Sequence, residues 1–377
     1  MTATDRKTKV MTIVGTRPEI IRLSEVIKRL DRTVDHVLVH TGQNYDYTLN
    51  EIFFSELGLR APDHYLGVDT SSLGQVLGGV LIKTEEVLLA EQPDALLVLG
   101  DTNSCIAAVI AKRMRIPVYH MEAGNRCFDE NVPEETNRRL VDHVADFNLV
   151  YTEHARRNLL AEGLHPRRIL KTGSPMKEVL TAHADQIAES DALSRLSLSE
   201  GDYVLVSAHR EENVDDPARL GQLLDCLEAV HAAYGRQILV STHPRTRKRL
   251  DALGRTVEGI TFHEPLGFLD YNHLQSKSFC VLSDSGTISE ESSLLGFPAV
   301  TLRDSIERPE ALDTGAIVMT GLDPRNVVEA VGVVTTTDRG DWLVPDDYAI
   351  GNCSERAVNF IVSTVGRHHQ WAGIRTR

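Results

Sequence analysis

Twice between Ala95 and Arg139 the chain runs off an apolar stretch straight into a carboxylate. Asp101 follows ALLVLG, Glu122 follows IPVYHM, and a further acidic pair, Glu134 and Glu135, comes one loop later. A parallel strand buried on both faces reads as a continuous apolar run, so a charge directly after it stands at the strand's carboxyl end, where open α/β sheets hold their ligands. Taken alone, Asp101 followed by Thr102 reads as a cap of the next helix. Three acids arriving at one crevice point instead to proton transfer and to stabilisation of positive charge.

The second half carries the opposite sign. His209 and Arg210 follow the run 203–207, His243 and Arg245 follow 237–241, and Arg303 and Arg308 follow 298–302. The chain has 40 basic against 54 acidic residues, a net charge of −14, so cations gathered at strand ends need a reason. An anionic ligand supplies one, because guanidinium and imidazolium donors match phosphate oxygens. The stretch from Ser283 through Asp284, Ser285, Gly286, Thr287, Ile288 and Ser289 to Glu290 and Glu291 ends a strand, turns through small residues and opens a helix. Backbone N–H groups at that helix start suit a diphosphate, and Glu290 and Glu291 stand where a ribose hydroxyl could be held. A similar turn, Gly15-Thr16-Arg17-Pro18-Glu19, follows the first strand, and Arg17 and Arg22 would face the same crevice.

To bring these groups together the chain needs sheets. Short β-rich runs alternate with helical patterns throughout, the signature of βαβ units. The first series is 10–14, 36–40, 95–99, 117–121 and 147–151; the second is 203–207, 237–241, 260–263, 279–283, 298–302 and 316–319. A length of 377 residues suits two cores. The expected fold is α/β with two Rossmann-like, doubly wound lobes facing across a cleft: 1–174 with the carboxylates, 175–353 with the phosphate grip. The stretch 354–377 is expected to form a helix whose amphipathic pattern fits either lobe, packing back on the first being one of the two placements.

Composition narrows the function classes. Hydrophobic content of 42% with 25% charged residues is that of a soluble globular protein, and the net negative charge argues against nucleic acid and anionic membrane as partners. Five scattered cysteines without a C-x-x-C pair indicate neither a disulfide framework nor a zinc site. No apolar run approaches a membrane span, and a cytoplasmic location is expected. The G-x-G-x-x-G, G-x-x-x-x-G-K-[ST], G-x-S-x-G and H-E-x-x-H signatures are missing from the chain, which disfavours dehydrogenase, P-loop, serine-hydrolase and zincin chemistry. His120, Glu122 and His143 lack ligand spacing, so no metal is expected.

Carboxylates in one lobe and a phosphate grip in the other suit a nucleotide-sugar whose anomeric C–O bond is to be broken. Cations would stabilise the departing diphosphate, and a carboxylate would take the C2 proton to give a glycal; re-addition with protonation from the other face inverts C2. This route needs no redox cofactor.

At these same segments the chain resembles the non-hydrolysing UDP-N-acetylglucosamine 2-epimerase family, whose members fold like B-type glycosyltransferases. The resemblance rests on VGTRPEIIRL, HTGQNYD, LGDTNS, MEAGNRCFDENVPEETNR, TGSP, VSAHREEN, LSDSGTISEES, RDSIERPEA and DDYAIGNCSERAV. It implies Asp101, Glu122 and Glu134 as catalytic acids and bases. His209, counted with the catalytic groups, would lie with Arg17 and Arg138 around diphosphate and sugar. Tyr271 would pack on uracil, Ser285 and Gly286 hold phosphate, Glu291 hold ribose, and Arg308 and His243 complete the nucleotide site. Arg22 stands where the UDP-N-acetylglucosamine enzymes usually carry Lys, Asn44 follows Gln43 where they have His, and Thr287 replaces a second Gly. The Gln43 region resembles a regulatory substrate-binding segment.

The strings HTGQNYDYTLNEIFF and MEAGNRCFDENVPEE look more like the branch that converts UDP-2-acetamido-2,6-dideoxy-L-talose to UDP-N-acetyl-L-fucosamine, a step feeding capsule or O-antigen polysaccharide. The alternatives are a plain UDP-N-acetylglucosamine/UDP-N-acetylmannosamine 2-epimerase, a hydrolysing relative, and a nucleotide-sugar sensor. A UDP-2-acetamido sugar is the implied partner, no cofactor is implied, and a homodimer is.

Overall fold

The computed structural model describes residues 6–42, 47–242, 244–255, 257–340 and 343–375. Gln43, Asn44 and His243 lie outside the described residues. Two compact units emerge, each built on its own all-parallel sheet.

The first unit comprises 1–126, 132–182 and 350–377. Its strands are β1 (Lys9–Val14), β2 (Asp35–His40), β3 (His64–Tyr65), β4 (Ala95–Leu99), β5 (Val118–Met121), β6 (Phe147–Val150) and β7 (Ile169–Lys171), in the order β3-β2-β1-β4-β5-β6-β7. The apolar runs dictate the middle of this sheet: every residue of β4 is buried, and Met11, Ile13, Leu96, Val98 and Val118 share one core. The edge strands β3 and β7 have no such run and are partly exposed, which is why periodicity missed them.

The second unit comprises 127–131 and 183–349. Its strands are β8 (Tyr203–Ser207), β9 (Gln237–Ser241), β10 (Ile260–His263), β11 (Cys280–Ser283), β12 (Ala299–Thr301) and β13 (Val318–Met319), in the order β10-β9-β8-β11-β12-β13. Both sheets repeat the Rossmann order, in which the chain reverses its winding beside the first strand of the unit. That switch point leaves a crevice at the strands' carboxyl ends, between β1 and β4 in one unit and between β8 and β11 in the other.

The division of the chain differs from the expected one. The junction falls between Ala182 and His183, because the helix Met176–Ala182 buries Met176, Val179 and Leu180 and its Glu178 accepts from Ser354 N at 2.8 Å. The terminal helix Cys353–Thr364 lies on the first unit: Thr364 Oγ1 is 2.7 Å from Tyr119 Oη, and Phe360 meets the Phe147 ring edge-on. No helix among the described residues is long and apolar enough to cross a membrane.

At the carboxyl end of β2, His40 is buried, stacks on Tyr65 and accepts from Gly42 N at 3.0 Å through Nδ1. Burial disfavours the imidazolium and lowers its pKa to about 4. The unfolded chain, with His near 6.5, takes up this proton at higher pH than the folded one. The stabilisation is therefore complete above about pH 6.5 and is lost as pH falls toward 4, a loss of about 3 kcal/mol by linkage. Urea midpoints at pH 7.5 and 4.5 should differ less in His40→Asn than in the parent protein; equal differences would show that His40 titrates freely.

Candidate functional site

At the switch point of the first unit, Gly15-Thr16 follows β1 and Gly100-Asp101 follows β4. The turn after β1 is held by Glu19, whose Oε2 accepts from Gly15 N at 2.9 Å and Thr16 N at 2.7 Å. Ser104, from the loop after β4, donates to Glu19 Oε1, so one carboxylate ties both sides of the crevice. Burial pushes the Glu19 carboxyl above its usual range, opposed by these hydrogen bonds. Sequence reasoning assigned Glu19 no such role; the spacing Thr16-x-x-Glu19, a capping box, was the available signal.

Glu122 comes directly after β5. It is buried, its backbone sits at φ +63°, and its carboxylate pairs with the buried Arg22. A left-handed conformation at a residue with a Cβ costs about 1–2 kcal/mol, and such strain collects at functional sites. The surroundings hold it in place. His120 Nε2 donates to Gly100 O at 2.8 Å, its Nδ1 lies 2.9 Å from Asp142 Oδ1, and Asp142 also accepts from Gly124 N and, at 2.7 Å, from Arg126. His143 is turned elsewhere, with Nδ1 on Arg139 O at 2.8 Å. Among the described residues no group of three His, Cys, Asp or Glu side chains is placed to hold a metal.

The carboxylate of Asp101 is gripped by Arg138 through Nε at 3.1 Å and Nη2 at 2.5 Å. Arg138 is itself buried and donates to the fully buried Glu135 at 2.9 Å. Both come from the helix Pro133–Val144, on which Glu134, half-buried, stands one turn before Arg138 on the same face. Of the acidic pair, Glu135 is thus a buried partner of Arg138. Asn137 fastens the same loop by donating to Asp101 O at 2.9 Å. Arg17 is partly buried, with its guanidinium 5.7 Å from the Phe53 ring centroid.

The switch point of the second unit is organised by Asp284, fully buried after β11. Its carboxylate accepts from His209 N at 3.1 Å, Arg210 N at 3.0 Å and Asn213 Nδ2 at 3.2 Å, all beyond β8. The turn is pinned while the His209 side chain stays half exposed. Ser285 Oγ lies 2.9 Å from Thr287 Oγ1 and accepts from Thr287 N, shaping the start of the helix Ile288–Leu295. Arg308 is buried, 3.4 Å from both Glu290 and Glu307, and Glu307 also pairs with Arg303 and Arg210. Glu291 is buried and accepts from Gln275 at 2.8 Å. Burial beside Glu291 pushes the Tyr271 phenol well above its usual range. So Ser285, Gly286, Thr287, Arg308, Glu291, Tyr271 and His209 are gathered around β8 and β11, and Asp101, Glu122, Glu134, Arg138, Arg17 and Arg22 around β1, β4 and β5.

Gly286 leaves no room for a side chain unless Arg308 and Glu307 move: a Cβ there would lie 2.4 Å from Arg308 Nη1 and 2.5 Å from Glu307 Oε1. Gly286→Ala must displace that buried pair, an overpacking that costs about 1–3 kcal/mol. The expected result is a lower urea midpoint than in the parent protein; an unchanged midpoint would show that the pair moves aside without cost.

Known proteins share this chain's sequence pattern and fold. Residues 28–362 match the family model described as UDP-N-acetylglucosamine 2-epimerase. The solved UDP-N-acetylglucosamine 2-epimerase of Rickettsia bellii is 43% identical, covers 98% of this chain and 100% of its own, and superimposes with a TM-score of 0.91. That of Methanocaldococcus jannaschii, solved in complex with UDP-GlcNAc and UDP, is 35% identical over 94% of this chain and 100% of its own, with a TM-score of 0.89. The UDP-2,3-diacetamido-2,3-dideoxy-D-glucuronate 2-epimerase of Pseudomonas aeruginosa is 34% identical over 94% of this chain and 99% of its own. The pair of Rossmann-like domains is of the glycosyltransferase-B-like kind.

Proposed function

The chain belongs to the UDP-N-acetylglucosamine 2-epimerase family, and from that premise we propose that it inverts C2 of a UDP-2-acetamido sugar by eliminating and re-adding UDP. It is an isomerase, a UDP-sugar 2-epimerase. One observation supports the mechanism most: in the first unit, adjacent strands β4 and β5 each end in a carboxylate locked to a buried guanidinium, Asp101 to Arg138 and Glu122 to Arg22. A carboxylate so placed takes the proton from C2 as the anomeric C–O bond breaks, leaving a 2-acetamidoglycal and UDP. A second acid returns a proton to the opposite face of C2 while UDP re-forms the bond at C1. Asp101, Glu122 and Glu134 supply these groups.

UDP is assigned to the second unit: Ser285, Gly286 and Thr287 at the helix start hold phosphate, Arg308 and His209 meet its charge, Glu291 takes the ribose, and Tyr271 packs on uracil. Arg17 and Arg138 serve the sugar and diphosphate. Gln43 and His243 keep the roles their motifs suggest.

The substrate we assign is UDP-2-acetamido-2,6-dideoxy-L-talose, giving UDP-N-acetyl-L-fucosamine for a surface polysaccharide, in a homodimer. The support is the pair of strings around Gln43 and Cys127 and the presence of Arg22, whose planar fork, unlike an ammonium, holds the Glu122 carboxylate directionally. The names of the relatives favour a second reading, interconversion of UDP-N-acetylglucosamine and UDP-N-acetylmannosamine. NMR of each candidate UDP-sugar with the enzyme in D₂O separates them: the true substrate gains deuterium at C2 and a C2 epimer still carrying UDP. Free sugar accumulating with UDP means hydrolysis, and absence of exchange with every UDP-2-acetamido sugar leaves a sensor.

A further inference from the structure

The amino ends of β1, β4 and β5 lie at the opposite edge of the first sheet from Asp101 and Glu122, and there the chain builds a second concavity. It measures about 770 Å³ and draws its walls from four separated segments, at 6–8, 93–94, 114–117 and 365–375. Lys7, Arg115, His369 and Arg375 line it, with Arg6, and its single carboxylate, Asp94, is already shared by Arg6 at 3.5 Å and Lys9 N at 2.7 Å. Lys7, Arg115 and Arg375 are exposed and have no carboxylate partner among the described residues. Three cations without a carboxylate partner among the described residues, all around one hollow, need an explanation.

Arg115 adds an independent sign. It follows the helix Ala107–Arg113 at φ +66°, where Arg115 N bonds to Lys112 O and Ile116 N to Ala111 O. This is the helix-ending turn that glycine fills without strain. An arginine there strains the backbone yet stands at the rim of the hollow, and His369 braces it by contacting Arg115 O at 2.9 Å. Strain kept where a smaller residue would relieve it marks a position with a task.

We propose that this hollow is a second binding site, for a soluble, multiply charged phosphate compound, separate from the site that takes the UDP-sugar. A concave hollow with cations on several sides encloses an anion, whereas a flat basic face would suit a bilayer surface. Met114, Ile116 and Ile374 line the same hollow and would pack against an organic portion of such a compound.

The test uses the full-length enzyme with UDP held at saturation, so that the substrate site is filled, and titrates inorganic tripolyphosphate by calorimetry. One binding event per chain is expected, weakening as salt rises. Arg115→Gly, which removes the cation and relieves the backbone, and Arg375→Ala should each weaken it about tenfold or more, with epimerase turnover unchanged. No binding under saturating UDP overturns the proposal, as does binding that both variants retain. Sedimentation with phosphatidic acid vesicles, without binding of tripolyphosphate, would also overturn it. None of these readouts depends on which sugar is the substrate.

Discussion

Glu122→Gln is expected to lower kcat by about 10²–10⁴, the contribution of a positioned acid or base, while UDP affinity stays within a few-fold. The residue is buried against Arg22 on a strained backbone, and glutamine keeps its shape while removing both the proton acceptor and the counter-charge. A second consequence distinguishes this variant from a simple loss of catalysis. Arg22, as buried as its partner, loses the Glu122 counter-charge, at a cost of about 3 kcal/mol in unfolding free energy. Adding Arg22→Gln should restore much of the stability and none of the turnover. Deuterium exchange at C2 and urea denaturation read the two effects separately. If UDP affinity fell in step with kcat, Glu122 would be a scaffold residue and the assignment of the acids would fail.

Arg138→Met should cost about 10² in kcat and about 3 kcal/mol in stability, both for geometric reasons. The guanidinium bridges Asp101 and Glu135, so methionine removes two charge-assisted contacts at once. Glu135 keeps its pairing with the more exposed Arg139, and Asp101 loses its grip on a guanidinium; misplacement of a reacting group by about 1 Å is worth about 10² in rate. The variant Glu135→Gln/Arg138→Met should regain stability, since no buried carboxylate is then left short of a partner, yet stay slow. Arg138→Lys is expected to fall between, because a single ammonium cannot grip Asp101 through two donors and reach Glu135 as well. Full turnover in Arg138→Met would show that Asp101 needs no guanidinium to act.

How far the chain can be read without coordinates differs from feature to feature. The central strands were legible because a strand buried on both faces must be apolar throughout, as 95–99 and 203–207 are. Asp101, Glu122, His209 and Asp284 were legible as strand-end residues for the same reason. The edge strands β3 and β7 were not, since two or three half-exposed residues carry no period. The terminal helix showed its amphipathic pattern, but its apolar face would suit either core.

What residue order determined by itself is chemical type and position along the chain: acids after the strands of one series, cations after those of the other, glycine where a turn or close approach demands it. Tertiary structure decided pairing. That Arg138 grips Asp101, that Asp284 collects the N–H groups beyond β8, and that Arg22 lies on Glu122 all depend on contacts between residues tens of positions apart. Such contacts follow from strand order and helix placement, and these are set by the packing of whole cores, to which no single stretch of sequence holds the key.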